Sequence, residues 1–184
     1  HEIINSVTEL GKILEKETRA KEIVDLLEER IKNIRKIYSG EKSKVLAIEW
    51  IDPFFTAGHW IPEMIQIAGE VNMISKTGER SRRLEFQEIF ESDPDIIIMM
   101  PCGFDTKRTI SEYNNVLKKN KEWNSLRAVK NSKIYAVDAN SFFSKPSIRT
   151  IEGIEILAKI IHPDKFQNLT VAEGTIVQIR KDRT

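Results

Sequence analysis

The chain has 184 residues, 40% hydrophobic and 31% charged, a length that encloses a hydrophobic core without disulfide or metal staples and a composition outside the disordered, collagen-like and low-complexity classes. Its 29 Lys and Arg against 28 Asp and Glu leave a net charge of +1, which is no basic field of the kind that holds a nucleic-acid backbone. The single cysteine, Cys102, cannot form an internal disulfide or a multi-thiolate zinc site, and no apolar run approaches the ~18 residues of a membrane span.

Apolar Ile3, Val7, Leu10 and Leu14, followed by Ile23, Leu27, Ile31 and Ile34, recur every three or four residues and predict helix over the first forty positions. Ser6 and Glu9 have capping-box spacing. Gly11 and the polar run from Glu15 to Arg19 interrupt the stripe, so a short first helix precedes a longer one from about Thr18 to Tyr38 that stops at Ser39-Gly40. After Gly40 the pattern changes to short apolar runs: Val45-Leu46-Ala47-Ile48, Ile96-Ile97-Ile98-Met99-Met100 and Ile134-Tyr135-Ala136-Val137. Each is apolar on successive residues, as a strand buried on both faces of a parallel sheet requires. A weaker strand is read near Val71 to Ile74, and an edge strand over Thr175 to Ile179. Helices are predicted from Trp60 to Ala68 with Gly69 as the stop, from Leu84 to Phe90, from Thr106 to Lys118 and from Ser147 to Ile161. The expected fold is α/β: a parallel sheet of about four strands flanked by helices, a Rossmann-like lobe preceded by a long linker helix. The expected divisions are a helical linker at 1–40, the lobe at 41–166, and a tail at 167–184 that closes on a charged end.

Ligands of open parallel sheets bind beyond the carboxyl ends of the strands. The segments at those ends run from Glu49 to Trp60, from Pro101 to Asp105 and from Asp138 to Pro146. Seven of the 14 aromatic residues fall in them: Trp50, Phe54, Phe55, Trp60, Phe104, Phe142 and Phe143. Aromatics concentrated on one sheet edge form a surface meant to be covered, although about half of them are needed to close the core, Trp50 and one of Phe142 and Phe143 above all. Rigid aromatic walls suit a large, partly apolar ligand, with Asp52, His59, Asp105, Asn140 and Lys145 for polar contacts. Phe54, Trp60, Phe104, Phe142 and Phe143 are the expected main contacts. No Gly-x-Gly-x-x-Gly follows the first strand and there is no Walker-type Gly-Lys-Ser/Thr. His59, Cys102 and Asp138 could meet as base, nucleophile and orienting acid, which keeps a small α/β hydrolase or transferase using Cys102 and His59 as the alternative. His59 could instead cap the helix that begins at Trp60, and His162 before Pro163 has a cap or surface role.

The ordered series Ile48-Glu49-Trp50-Ile51-Asp52-Pro53-Phe54-Phe55, Ala57-Gly58-His59-Trp60-Ile61-Pro62-Glu63-Met64, Ala68-Gly69-Glu70-Val71-Asn72, Asp93-Pro94-Asp95-Ile96, Pro101-Cys102-Gly103-Phe104 and Val137-Asp138-Ala139-Asn140 resembles the C-terminal lobe of cobalamin-type and siderophore-type substrate-binding proteins of ABC importers. Pro146, Arg149 and the run from Gly153 to Pro163 continue it. The resemblance covers residues 1 to about 166 and implies two α/β lobes joined by a stiff helix, with the N-terminal lobe absent from this chain. It further implies a non-enzymatic, extracytoplasmic protein without catalytic residues or a resident metal. Such a protein would bind cobalamin, haem or a ferric siderophore between its lobes and deliver it to an ABC permease with its ATPase. Within the family each lobe offers acids to the permease, and Glu85, Glu88 and Glu91 are the candidates here. With one lobe alone, the uncovered aromatic edge would favour a symmetric dimer of the chain.

Overall fold

A computed structural model describes residues 2–37 and 42–180. The predicted stop at Ser39-Gly40 and the last four residues of the tail lie outside them. In chain order the helices are α1 (Glu2–Ile13), α2 (Glu17–Ile37), α3 (Ile61–Ile67), α4 (Phe86–Ser92), α5 (Thr106–Val116), α6 (Arg127–Lys130), α7 (Ala139–Phe142) and α8 (Thr150–Ile161). The strands are β1 (Lys44–Ile51), β2 (Phe54–Thr56), β3 (Val71–Asn72), β4 (Ile96–Met99), β5 (Ile134–Val137) and β6 (Ile176–Ile179). A single 3₁₀ turn spans Trp123–Ser125.

The strands form one sheet in the order β2-β1-β4-β5-β6, with β3 also on β1. β4 is parallel to β1 and β5, while β2 and β6 run antiparallel to their neighbours. Successive residues of the central strands enter different cores. Val45, Ala47, Ile96, Ile98 and Val137 pack with Ile61, Met64, Ile154 and Leu157 of α3 and α8. Leu46, Ile48, Ile97, Met99 and Ile134 pack with Ile89, Tyr113, Leu117 and Trp123 on the other face. That two-sided burial is why these runs are apolar without alternation.

The first helical region is a short helix followed by a longer one, as the interrupted stripe predicted, and the two pack on each other. Leu27, Ile31 and Ile34 of α2 are buried as their spacing predicted, but Leu10 and Leu14 are exposed and Ile4 and Gly11 take the buried side of α1. Gly11 sets this rotation: a Cβ there would lie 2.3 Å from Ala20 Cβ, so the helices approach closest where one lacks a side chain. Ser6 is not a cap, since it lies inside α1 and its hydroxyl donates to Ile3 O at 2.7 Å, while Glu9 pairs with Lys12. Arg30 on α2 grips Glu155 on α8 through two hydrogen bonds of 2.8 and 2.7 Å, fixing the long helix to the lobe.

The chain enters the lobe beside a buried acid. Glu70 accepts a hydrogen bond from the Ser43 backbone N–H and lies 3.3 Å from His162 Nε2, which is also 3.1 Å from Ala68 O. His162 thus caps α8 and is not a surface residue. Burial pushes the Glu70 carboxyl up to about 7, only partly offset by the Ser43 N–H and by Lys42. A carboxyl held above its unfolded value contributes stability fully present below about pH 4.5, and that contribution is lost as the pH rises through about 7. Burial also holds His162 below its usual range, which works in the opposite sense on the acid side. Glu70→Gln is therefore expected to melt increasingly above wild type between pH 5 and pH 8, by about 2–4 °C for each kcal/mol regained. Thermal melts of the two proteins across that range check this, and a constant difference would disprove it.

Candidate functional site

Glu49 enters the site through a fault in the sheet. Between the paired residues Ile48 with Thr56 and Trp50 with Phe55, β1 carries one extra residue, Glu49. A bulge of this kind re-aims a side chain. The carboxylate accepts from Ser81 Oγ at 3.1 Å and from the Gly58 N–H at 3.4 Å, and it lines a cavity of about 200 Å³ with Gly58, His59, Trp60, Ile61, Met100, Cys102, Phe143 and Ser144. A wider cavity of about 740 Å³ shares His59 and Trp60 and continues to Glu2, Ile3 and Ser6 of α1, then to Glu63, Thr77, Gly78 and Pro146. The wider volume is of the size that takes a small-molecule ligand.

Three loops build this edge. The 57–60 loop is held by the 78–81 loop: His59 N–H donates to Glu79 O at 2.6 Å and Gly78 N–H to His59 O at 2.9 Å. His59 sits in the left-handed region, φ 57°, with its ring 5.8 Å from that of Trp60. It does not cap α3, whose N-cap is Trp60. The Trp60 indole N–H is buried and has no hydrogen-bond partner among the described residues. The loops after β4 and β5 are bonded to each other, Gly103 N–H to Ser144 Oγ at 2.8 Å and Asn140 N–H to Phe104 O at 3.1 Å.

Of the residues read from sequence, the structure brings His59, Trp60 and Phe143 together around the smaller cavity, with Cys102. Asp52, Asn140 and Lys145 are exposed on the same edge, and Phe55 is half-buried in β2. Phe54 is corrected. Its half-buried ring lies flat on Trp123, 5.6 Å between centroids and 14° between planes, against the core on that face of the sheet. Phe104 and Phe142 are corrected as open contact surfaces: they are only 5% and 8% exposed, because Arg108 covers one ring at 3.7 Å and Arg149 the other at 4.9 Å. Trp50 stands over Phe104 edge-on at 5.3 Å and is 38% exposed. Asp105 and Asp138 cap α5 and α7 through the backbone N–H groups of Arg108 and Ser141. Asp138 therefore does not stand behind His59 as an orienting acid. Among the described residues no three His, Cys, Asp or Glu side chains gather as a metal site.

The edge is thus less apolar than the sequence suggested, since cations cover two of its rings. A dimer sealed by an aromatic patch there loses its physical reason. The large exposed apolar side chains are scattered among the described residues: Leu10, Ile13 and Leu14 near the end of α1, and Leu26, Trp50, Val71, Phe90 and Ile148 elsewhere. Glu85, Glu88 and Glu91 all have partners on their own surface: Glu85 caps α4 and meets Arg83, Glu88 bonds Arg82 at 2.7 Å, and Glu91 accepts from Gln87 at 2.8 Å. The Arg82 guanidinium holds the Glu88 carboxyl below its ordinary range.

The family described as periplasmic binding protein matches residues 1–141. The high-affinity heme uptake system protein IsdE of Staphylococcus aureus (strain bovine RF122 / ET3-1) is 24% identical over 166 residues, 87% of this chain and 56% of that protein. The solved structure of S. aureus IsdE complexed with heme is similar with a TM-score of 0.75 at 22% identity, over 86% of this chain and 63% of that one. The TroA-like periplasmic binding protein FepB from Veillonella parvula is similar with a TM-score of 0.75 at 17% identity, over 97% and 61%. These solved structures bear on the fold: a mostly parallel sheet between helices is common to them and to this lobe. The chain spans about half the length of the curated relatives it matches (56%). With the family's own pattern running through α1 and α2 and on past β5, the chain belongs to the periplasmic binding protein family.

Proposed function

We propose that this chain forms one wall of the ligand cleft in an extracytoplasmic substrate-binding protein of an ABC importer, whose cargo is a metal chelate: a corrinoid, haem or a ferric siderophore. The observation that carries the reading is the pair of adjoining cavities at the carboxyl edge of the sheet, which share His59 and Trp60. A companion lobe supplies the facing wall. The chelator holds the metal; the protein wall contributes apolar area from Trp60 and Phe143, a donor in the Trp60 N–H, and polar groups in Glu49, His59 and Ser144. Similarity to proteins whose names specify heme uptake supports this class of cargo.

The test is a set of absorption titrations of the full-length protein with haemin, cyanocobalamin and ferric siderophores. At least one should bind in the micromolar range or tighter. Trp60→Ala and Phe143→Ala should each then weaken it by about 1–3 kcal/mol, roughly 5- to 150-fold, whereas Phe54→Ala should leave the dissociation constant unchanged. No binding of any chelate removes the proposal, and unchanged affinity in both Trp60 and Phe143 variants removes the site.

Delivery to the permease is assigned to the acids of α4. Glu91 is the member to test, because reversing Glu88 would also break its bond to Arg82 and the capping box. Glu91→Lys should reduce cellular uptake while ligand affinity holds; normal uptake with Glu85 and Glu91 both reversed would reject the docking role.

A further inference from the structure

Glu49 is an anion set into the cleft wall without a counter-ion. Among the described residues no Lys, Arg or His side chain pairs with it, and its two hydrogen bonds come from neutral donors, Ser81 Oγ at 3.1 Å and the Gly58 N–H at 3.4 Å. Its backbone is held as well: the Glu49 carbonyl accepts from the Cys102 N–H at 3.1 Å, and β2 pairs with β1 on both sides of the bulge that turns the side chain. A carboxylate only accepts, and it offers about four lone-pair directions. With two of them filled, acceptor capacity remains on a side chain that lines the smaller cavity.

Trp60 lines the same cavity, and its indole N–H is buried with no partner among the described residues. The wall therefore carries an unneutralised acceptor and an unpaired donor. At about 200 Å³ the smaller cavity is below the usual size of a ligand pocket, so it suits a side arm, while the body of a chelate fits the adjoining 740 Å³. An arm ending in a carboxamide meets both groups, since its NH2 donates to Glu49 and its carbonyl accepts from Trp60. An arm ending in a carboxylate satisfies Trp60 alone. It also brings a second negative charge toward a fixed one in a place where solvent screens poorly.

We propose that Glu49 determines the specificity of this cleft: its carboxylate selects chelates whose side arm ends in a hydrogen-bond donor, a carboxamide, over those whose arm ends in a carboxylate. The proposal rests on the metal-chelate reading above and narrows it. A Glu49 that only braced the 57–60 and 78–81 loops would affect both kinds of arm equally, and the experiment separates the two roles.

The probes are pairs that share a metal and a ring, titrated into the full-length protein: haemin against its bis-amide, and cyanocobalamin against its monocarboxylic acids, each with one amide hydrolysed. For whichever ring binds, wild type should hold the amide form about ten-fold or more tighter than the acid, or than one of the monoacids in the corrinoid series. Glu49→Gln keeps the shape and removes the charge, and should collapse that ratio toward one, mainly by admitting the acid form. Ser81→Ala removes a brace but no charge, and should weaken both forms by a similar factor with the ratio kept. Equal binding of acid and amide by wild type, tighter binding of the acid, or a ratio that survives Glu49→Gln overturns the inference and leaves the proposed function standing. Binding of neither ring overturns it too, and ferric siderophores then decide whether the cargo class falls with it.

Discussion

Gly58→Ala is expected to lower stability by about 1–3 kcal/mol and to weaken the proposed chelate binding at least ten-fold. A Cβ at this position would lie 2.4 Å from Ser81 N, 2.7 Å from Glu79 O and 2.8 Å from the Arg80 carbonyl carbon, all of them backbone atoms with no rotamer to yield. The 79–81 segment must therefore move away from the 57–60 loop. That movement breaks the His59 N–H to Glu79 O bond and the Ser81 bond to Glu49, and it shifts His59 and Trp60, the residues common to both cavities. Denaturant unfolding together with a haemin titration would show both effects. Wild-type values in the two measurements would mean that the loops are not locked as described.

Trp123→Ala is expected to cost about 3–5 kcal/mol, a large share of the 5–15 kcal/mol that holds an ordinary domain together. Trp123 is fully buried, with Phe54 stacked on one side and Tyr113 edge-on at 6.5 Å. Its removal would leave a ring-sized hole beneath β2 and so loosen that strand, which carries Phe55, and the turn at Asp52 that leads into it. Trp123→Phe should be far milder. It keeps an aromatic ring for Phe54 and deletes an indole N–H that is buried with no partner among the described residues. Equal losses in the two variants, measured by denaturant midpoint, would contradict the stacking account.

The elements that were legible in the sequence are those whose burial is nearly complete. β5 matches its predicted span residue for residue, and β4 ends one residue early, because an unbroken apolar run between two helical layers has few other readings. β2 was not legible: three residues become a strand only by pairing back on β1, with Thr56 and Leu84 completing the loop contacts. α6 and α7, four residues each, are too short to show any period. The Ser6 to Glu9 spacing misled because the same pair of residue types also occurs inside a helix already under way.

The site divided in the same manner. His59, Trp60 and Phe143 followed from the rule that ligands meet the carboxyl ends of strands. Glu49 escaped, although one acid inside an apolar strand was a signal, because the bulge that turns it is a property of pairing with β2. Phe104 and Arg108 stand four apart, the spacing at which helical neighbours touch. Phe142 and Arg149 span seven residues across a non-helical bend, and no local rule joins them.

Sheet edges carry unpaired backbone groups that can recruit a foreign strand, the first step toward aggregation. β1 is eight residues long, and its outer margin would be such a template. It is closed in two pieces: β3 takes Lys44 and Val45, and β2 takes the stretch from Ile48 to Ile51. Two and three residues long, these covering strands offer too little ladder of their own to propagate. On the opposite margin β6 is four residues long and gives way at once to Arg180. A sheet with both margins blunted in this way resists pairing edge to edge with its own copies at high concentration.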